Sequence, residues 1–152
     1  MEIRKADIND FNFVNNITSI TIKDIYPHYY PKGAVDFFLS HHSPENIKND
    51  INSGNVYLLS SENNTIGTIT VKGNHINRLF ILPDFQKKGG GRILMDFAEK
   101  LISKHYKEIL TDASLPAKGM YLKRGYTEAG YNKILTENSD YLCYDEMKKI
   151  IE

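Results

Sequence analysis

The decapeptide Pro83-Asp84-Phe85-Gln86-Lys87-Lys88-Gly89-Gly90-Gly91-Arg92 stands between a strand-like run and the strongest helical pattern of the chain, and it constrains how the two are joined. Upstream, His75 to Leu82 reads as a strand closed by Pro83. Downstream, Ile93, Leu94, Phe97, Ala98, Leu101 and Ile102 recur at helical spacing from about Gly89 to His105. A strand therefore passes straight into a helix through three glycines. Each glycine in a helix costs roughly 0.5–1 kcal/mol relative to alanine, so helix stability gives no reason for the run. What it does provide is backbone that another molecule can approach. The unpaired N–H groups and the positive end of a helix form an anion site. Lys87, Lys88 and Arg92 crowd that same positive end, where the dipole disfavours them. A pyrophosphate resolves both oddities; a plain glycine loop with solvated lysines is the alternative. Neither nucleotide fingerprint fits, because no Gly-x-x-x-x-Gly-Lys-Ser/Thr is present and the glycines do not follow a first strand.

The flanking sequence supplies a mixed α/β frame. Ile3 to Ala6 reads as a strand, and Asp10 is placed to cap a helix carrying Phe11, Val14, Thr18, Thr21 and Ile25 on one face. Pro27 and Pro31 stop that helix, and Tyr26, His28, Tyr29 and Tyr30 between them read as a lid over the core, or else as a pocket wall. Further helical stretches run through Val35, Phe38 and Leu39, then from the Ser43-Pro44 start through Ile47 and Ile51 to Gly54. Val56 to Leu59 and Thr65 to Val71 form a hairpin, which a turn at Lys72 to Asn74 extends to the His75 strand. Glu108 to Thr111 is another strand, and a right-handed helical crossover makes it parallel to His75–Leu82. A short helix opened by Pro116 and ended by Gly125 precedes strand-like runs in the tail, including Tyr141 to Tyr144.

Composition narrows the function classes. The 152 residues suit one domain, 1–152, and 41% hydrophobic with 25% charged residues is a globular balance. Nineteen basic and nineteen acidic residues leave no net field for nucleic acid or an anionic membrane, so a nucleic-acid patch of Lys87, Lys88, Lys123 and Arg124 is a weak reading. No apolar window spans a bilayer and no leader is visible, which predicts a cytoplasmic protein without membrane partners. The histidines His28, His41, His42 and His105 lack zinc spacing, so no metal is expected. The single cysteine, Cys143, reads as a buried structural thiol, and no Gly-x-Ser-x-Gly elbow offers a serine nucleophile.

The chain resembles the GNAT superfamily of N-acetyltransferases. Gln86, Gly89 and Gly91 match the family's Gln/Arg-x-x-Gly-x-Gly/Ala signature at a strand-to-helix junction. The likeness extends through Ile3-Arg4-x-Ala6-x-x-x-Asp10, Ile66-Gly67-Thr68, Arg78-Leu79-Phe80-Ile81-x-Pro83 and Ser114-x-x-Ala117-x-x-x-Tyr121-x-x-x-Gly125-Tyr126, in family order. It implies an α/β (α+β) GNAT fold: a mixed, mostly antiparallel sheet of six to seven strands, about four flanking helices, and splayed parallel central strands. Acetyl-CoA is the implied acyl donor. Backbone groups of Leu79, Phe80 and Ile81 would pair with its pantetheine arm, and amides of Gln86, Lys87, Lys88, Gly89, Gly90, Gly91 and Arg92 would hold its pyrophosphate. Ser114, where the family more often has asparagine, and Ala117 would flank the same arm.

The resemblance also assigns chemistry. Direct transfer needs a neutral amine, donors for the oxyanion and an acid for the departing thiolate. Tyr121 stands at the family's acid position, and an unperturbed phenol with a pKa of about 10 stays protonated at neutral pH. Where many relatives place a basic glutamate, this chain has His75; a water chain is the other candidate base. The implied activity is transfer of acetyl to a small-molecule amine or a protein amine, with a homodimer through a sheet edge compatible with the pattern. The missing glutamate keeps a second reading open, a non-catalytic acyl-CoA-binding or sensing module.

Overall fold

The computed structural model describes residues 1–152. Seven strands form one mixed sheet: β1 (Glu2–Lys5), β2 (Val56–Ser61), β3 (Asn64–Lys72), β4 (His75–Ile81), β5 (Glu108–Ala113), β6 (Thr127–Leu135) and β7 (Tyr141–Ile150). Their spatial order is β1-β2-β3-β4-β5-β7-β6, and every neighbouring pair is antiparallel except β4 and β5. The expected meander and parallel pair are therefore both present, and β7 rather than β6 lies beside β5. Five α-helices cover the sheet: α1 (Phe11–Ile25), α2 (Lys32–His41), α3 (Pro44–Asn52), α4 (Gly90–Ser103) and α5 (Leu115–Lys123).

Each face of the sheet buries its own core. On one side Leu94, Met95, Ala98 and Ile102 of α4 pack with Ile66, Ile69 and Ile109 of the sheet. On the other, Val14, Ile17 and Ile22 of α1 meet Val35, Ile47 and Ile51 of α2 and α3. Fully burying one such side chain is worth about 1.5–3 kcal/mol, so the two clusters together fix where the helices sit against the strands.

Two local details depart from the sequence reading. Asp10 does not cap α1 with its side chain; Asp7 accepts from the Asn9 amide at 2.8 Å, and Asp10 closes a box by accepting from the Asp7 amide at 2.9 Å. The Asp10 carboxylate is instead forked by Arg4 at 2.6 and 2.7 Å, which ties β1 to the start of α1. Of the two readings of the tyrosine segment, lid or pocket wall, the second holds for Tyr26, which lines a cavity. Tyr26 and Tyr30 are buried against Phe38, with ring centroids 4.7 and 5.1 Å away, because proline-bounded aromatics fill the gap between α1 and α2. At the N-terminus of α2, the Gly33 amide donates to Asp140 at 2.9 Å, which pins the helix to the β6–β7 turn; a Cβ on Gly33 would run into Thr136 and Asp140. No helix is long and apolar enough to cross a membrane.

Candidate active site

The site begins where the sheet opens. β4 pairs with β5 only at His75↔Leu110 and Ile76↔Thr111, whereas β5 stays paired with β7 from Glu108 to Ala113. Beyond Ile76, β4 therefore has no strand partner on its β5 side. The cause lies in β4 itself: its register against β3 jumps between Thr70↔Asn77 and Thr68↔Phe80, so an extra residue bends the strand away. Arg78, in the bulge, adopts a left-handed backbone with φ of 48°. Each of its three nitrogens has a partner: Asp50 at 2.9 Å, the Thr70 hydroxyl at 3.0 Å and Nδ1 of His42 at 3.3 Å. Asp50 also receives Lys72 at 2.6 Å. Burial draws the Arg78 guanidinium below its ordinary pKa against the pull of Asp50, and burial followed by Arg78 pushes the His42 imidazole down to about 3. His42 is thus a neutral ring that accepts the Arg78 Nε–H hydrogen bond at Nδ1.

The splay opens a cavity of about 200 Å3. Leu79 and Phe80 line it from β4, Thr111 and Asp112 from β5, and Ser114, Ala117 and Tyr121 from the following segment and α5. Phe37, Phe38, His41 and His42 form the α2 wall, with Tyr26 beside them; Ile134, Leu142 and Tyr144 face them from β6 and β7. The Tyr121 ring is almost fully buried and packs edge-on against Tyr126, 5.2 Å between centroids. Its hydroxyl lies 3.4 Å from the Thr111 hydroxyl, whose own proton goes to the Ile76 carbonyl at 3.0 Å. Burial raises the Tyr121 pKa, so the phenol is held in its protonated form. Tyr30 braces the same region: its hydroxyl accepts from the Leu115 amide at 2.7 Å, an orphan donor at the start of α5, and donates to the Cys143 carbonyl at 3.1 Å.

The turn after β4 carries the second feature. Lys87 and Gly89 adopt φ of 61° and 90°, left-handed turn positions of the kind from which successive N–H groups can face one anion. The first helical bond at this end is Ile93 N–H to Gly89 O at 3.1 Å. The amides of Lys87, Lys88, Gly89, Gly90, Gly91 and Arg92 donate to no group of the protein. Gln86 differs, because its amide is used by the Pro83 carbonyl at 3.2 Å and its side chain donates to the Ile81 carbonyl at 3.0 Å, so it fastens the turn to the strand end. The glycines also separate. A Cβ on Gly90 would meet Leu59 at 3.1 Å and Ile81 at 3.2 Å, whereas one on Gly91 meets nothing within 4 Å. Gly90 lets helix and sheet close; neither packing nor backbone angle demands Gly91.

Of the residues singled out in the sequence, Leu79, Phe80, Ser114, Ala117 and Tyr121 meet in the cavity, while Gln86 through Arg92 form the turn beyond the end of β4. His75 does not join them. It stands exposed at the first position of β4, at the end where β4 and β5 are still paired. Ile81 lies outside the lining, its carbonyl taken by Gln86. Cys143 is half-buried on β7 and also lies outside the lining, rather than sealed in the core. Arg124 is committed to Asp96 at 2.7 Å and Glu99 at 3.0 Å, which removes it from any basic patch. Arg78, His42 and Asp112 were not singled out as site residues, and all three line the cavity. Burial, then Glu146 opposite it on β7, raises the Asp112 carboxyl above its ordinary pKa.

Comparison with known proteins adds a family. Residues 25–149 match the family model described as acetyltransferase (GNAT) domain. Among solved structures, a GCN5-related N-acetyltransferase from Rhodopseudomonas palustris superposes with a TM-score of 0.88 at 24% identity, over 99% of this chain and 95% of that one. The PaiA N-acetyltransferase from Thermoplasma acidophilum, in complex with coenzyme A, gives 0.70 at 21% identity over 98% of both chains. A ribosomal-protein-alanine N-acetyltransferase from Brucella melitensis gives 0.72 at 14% identity, over 99% of this chain and 100% of that one. No curated protein matches in sequence.

Proposed function

The chain belongs to the GNAT acetyltransferase family, whose members transfer acyl groups from CoA, and from that premise we propose that residues 1–152 act as one acetyl-CoA-dependent N-acetyltransferase domain in which a primary amine attacks the thioester directly. The observation that carries this reading is the pairing of six uncommitted amides, Lys87 through Arg92, with a strand gap that contains a buried tyrosine hydroxyl. The amides and the α4 dipole receive the pyrophosphate, and Gly91 leaves room for it to approach. The unpaired side of β4 beyond Ile76 offers the backbone groups of Leu79 and the Ile81 amide to the pantetheine arm and the acetyl oxygen, while Phe80, whose backbone pairs with Thr68 of β3, lends its side chain to the lining. Ser114 and Ala117 border the same arm.

Tyr121 is the acid in this reading. Burial keeps its phenol protonated, so it gives its proton to the thiolate as the carbon–sulfur bond breaks. His75 stands outside the cavity, and the amine therefore loses its proton to water. The acceptor is a small-molecule amine or a protein amine. Coenzyme A bound to the Thermoplasma protein supports the choice of donor.

Free-thiol release from acetyl-CoA across a panel of amines tests the reading. Amine-dependent release is expected, and Tyr121→Phe should lower kcat at least about 100-fold, the low edge of what a positioned acid contributes, while CoA still binds. Tight CoA binding with no turnover on any amine would favour the acyl-CoA-sensing alternative. Full turnover by Tyr121→Phe would remove the tyrosine from the mechanism.

A further inference from the structure

Within the cavity, the guanidinium of Arg78 already has its counter-ion in Asp50. Arg78 is held by Asp50, Thr70 and His42, one partner on each nitrogen. His42 is the neutral partner in that network, its Nδ1 occupied by Arg78. Asp112 is different: it is the one carboxylate of the lining, and it makes no salt bridge and no side-chain hydrogen bond. Glu146, directly across on β7, adds a second negative charge where like charges are ordinarily unfavourable. The exposed neighbours His41 and His75 are the groups whose charge acts on Asp112 in the opposite sense.

The wall beside this carboxylate is flat and aromatic. Phe37 stacks on His41 with centroids 6.3 Å apart and planes at 11°. His41 meets His42 edge-on at 5.0 Å, and His42 meets Phe80 edge-on at 5.7 Å, so the rings run without a break from the mouth of the cavity to β4. The last turn of α2 carries Phe37, Phe38 and His41, and it brings the negative end of a helix dipole to the same place. Opposite stand Ile134, Leu142 and Tyr144. A cavity of about 200 Å3 that must also admit the thioester leaves room for a short acceptor body.

We propose that the acceptor is a small primary amine bearing a flat apolar or aryl group, whose ammonium is received by Asp112 while its body lies against Phe37 and His41. This rests on the acetyltransferase reading above and narrows it to a substrate class. A polyamine would bring further ammonium groups to a lining that holds a single carboxylate, and a peptide would bring backbone polar groups to a face with few partners for them. Asp112 is here an acceptor-binding residue: it holds the ammonium at the mouth, from which the amine loses its proton to water and moves to the thioester.

The test is thiol release from acetyl-CoA with three probes, phenethylamine, spermidine and an alanine-initiated tripeptide, on the unaltered protein and on Asp112→Asn and Phe37→Ala, together with calorimetric titration of CoA. Phenethylamine should give the highest kcat/KM. Asp112→Asn should raise its KM at least tenfold with the KM for acetyl-CoA unchanged. Phe37→Ala should raise the KM for phenethylamine and leave that for a plain alkylamine such as propylamine within twofold, a split that mere loss of folding would not produce. Preference for spermidine or the tripeptide, or an unchanged amine KM in Asp112→Asn, would overturn the substrate class while the acetyltransferase reading stands. If CoA fails to bind, both fall together.

Discussion

Replacing Gly91 with alanine should make the protein more stable and a poorer ligand for CoA. Gly91 lies in the first turn of α4, and an added Cβ meets no protein atom within 4 Å. Alanine should therefore return roughly 0.5–1 kcal/mol of helix stability. For a chain of 152 residues each kcal/mol moves Tm by about 2–4 °C, so a rise of about 1–4 °C is expected. The same methyl stands where a diphosphate would approach the free amides, and losing one hydrogen bond to a charged group costs roughly 1.5–3 kcal/mol, or about 10- to 100-fold in Kd. Gly90→Ala is the control of opposite sign. Its Cβ meets Leu59 at 3.1 Å and Ile81 at 3.2 Å, so overpacking of about 1–3 kcal/mol should outweigh the helix gain and lower Tm. Differential scanning calorimetry reads the first quantity and isothermal titration with CoA the second. A Gly91→Ala protein that is stabilised and binds CoA as before would refute the reasoning, because Gly91 would then have no ligand to accommodate.

Other outcomes follow from the buried charges and the one buried hydroxyl lacking a partner. Asp50→Ala strands the Arg78 guanidinium, whose side chain is 4% exposed, and should cost about 3–5 kcal/mol in urea unfolding. Adding Arg78→Met should recover most of that loss; a single-mutant cost below about 1 kcal/mol would contradict the pairing. Thr18 is 2% exposed and its hydroxyl meets no partner, so Thr18→Val should stabilise by about 1 kcal/mol, and destabilisation would mean the hydroxyl is bonded. Arg4, through its hydrogen bonds, holds the Asp10 carboxyl below the usual aspartate range. That contribution is present above the unfolded pKa of about 4 and lost as pH falls through the lower folded value. Arg4→Met should therefore flatten the acid limb of a stability–pH curve below about pH 4, and an unchanged limb would exclude the pair as its source.

The parts of this molecule legible in its sequence were those written locally. The glycine turn announces itself through residues that suit no helix, α4 through its apolar spacing, and Ser43-Pro44 through cap chemistry, Ser43 accepting from the Asn46 amide at 3.3 Å. Tyr121 became a candidate acid only through the family resemblance, since a tyrosine in a short helix carries no signal of its own. What depended on the bulge in β4 was hidden. A register jump between Thr70 and Thr68 decides that Arg78 turns inward and that the strands part after Ile76, and alternation of residue types cannot show it. His75 looked like a base because counting along a strand does not reveal at which end the sheet opens. Asp112 was invisible for a related reason: it is ordinary on β5 until the sheet order sets it beside α2 and Glu146. Tyr26 and Tyr30 read as a lid or a pocket wall because proline-bounded aromatics are a loop in sequence, and it is burial that makes Tyr26 a wall of the cavity and Tyr30 its brace.

The proposed binding of CoA at the strand-to-helix turn can be read amide by amide. In 15N-labelled protein titrated with CoA, the resonances of Lys87 through Arg92 should shift together and saturate with one Kd, while that of Gln86, already bonded to Pro83, moves less. Saturable binding of CoA that leaves those six resonances in place would contradict the proposed cradle and, with it, the orientation of the thioester toward Tyr121.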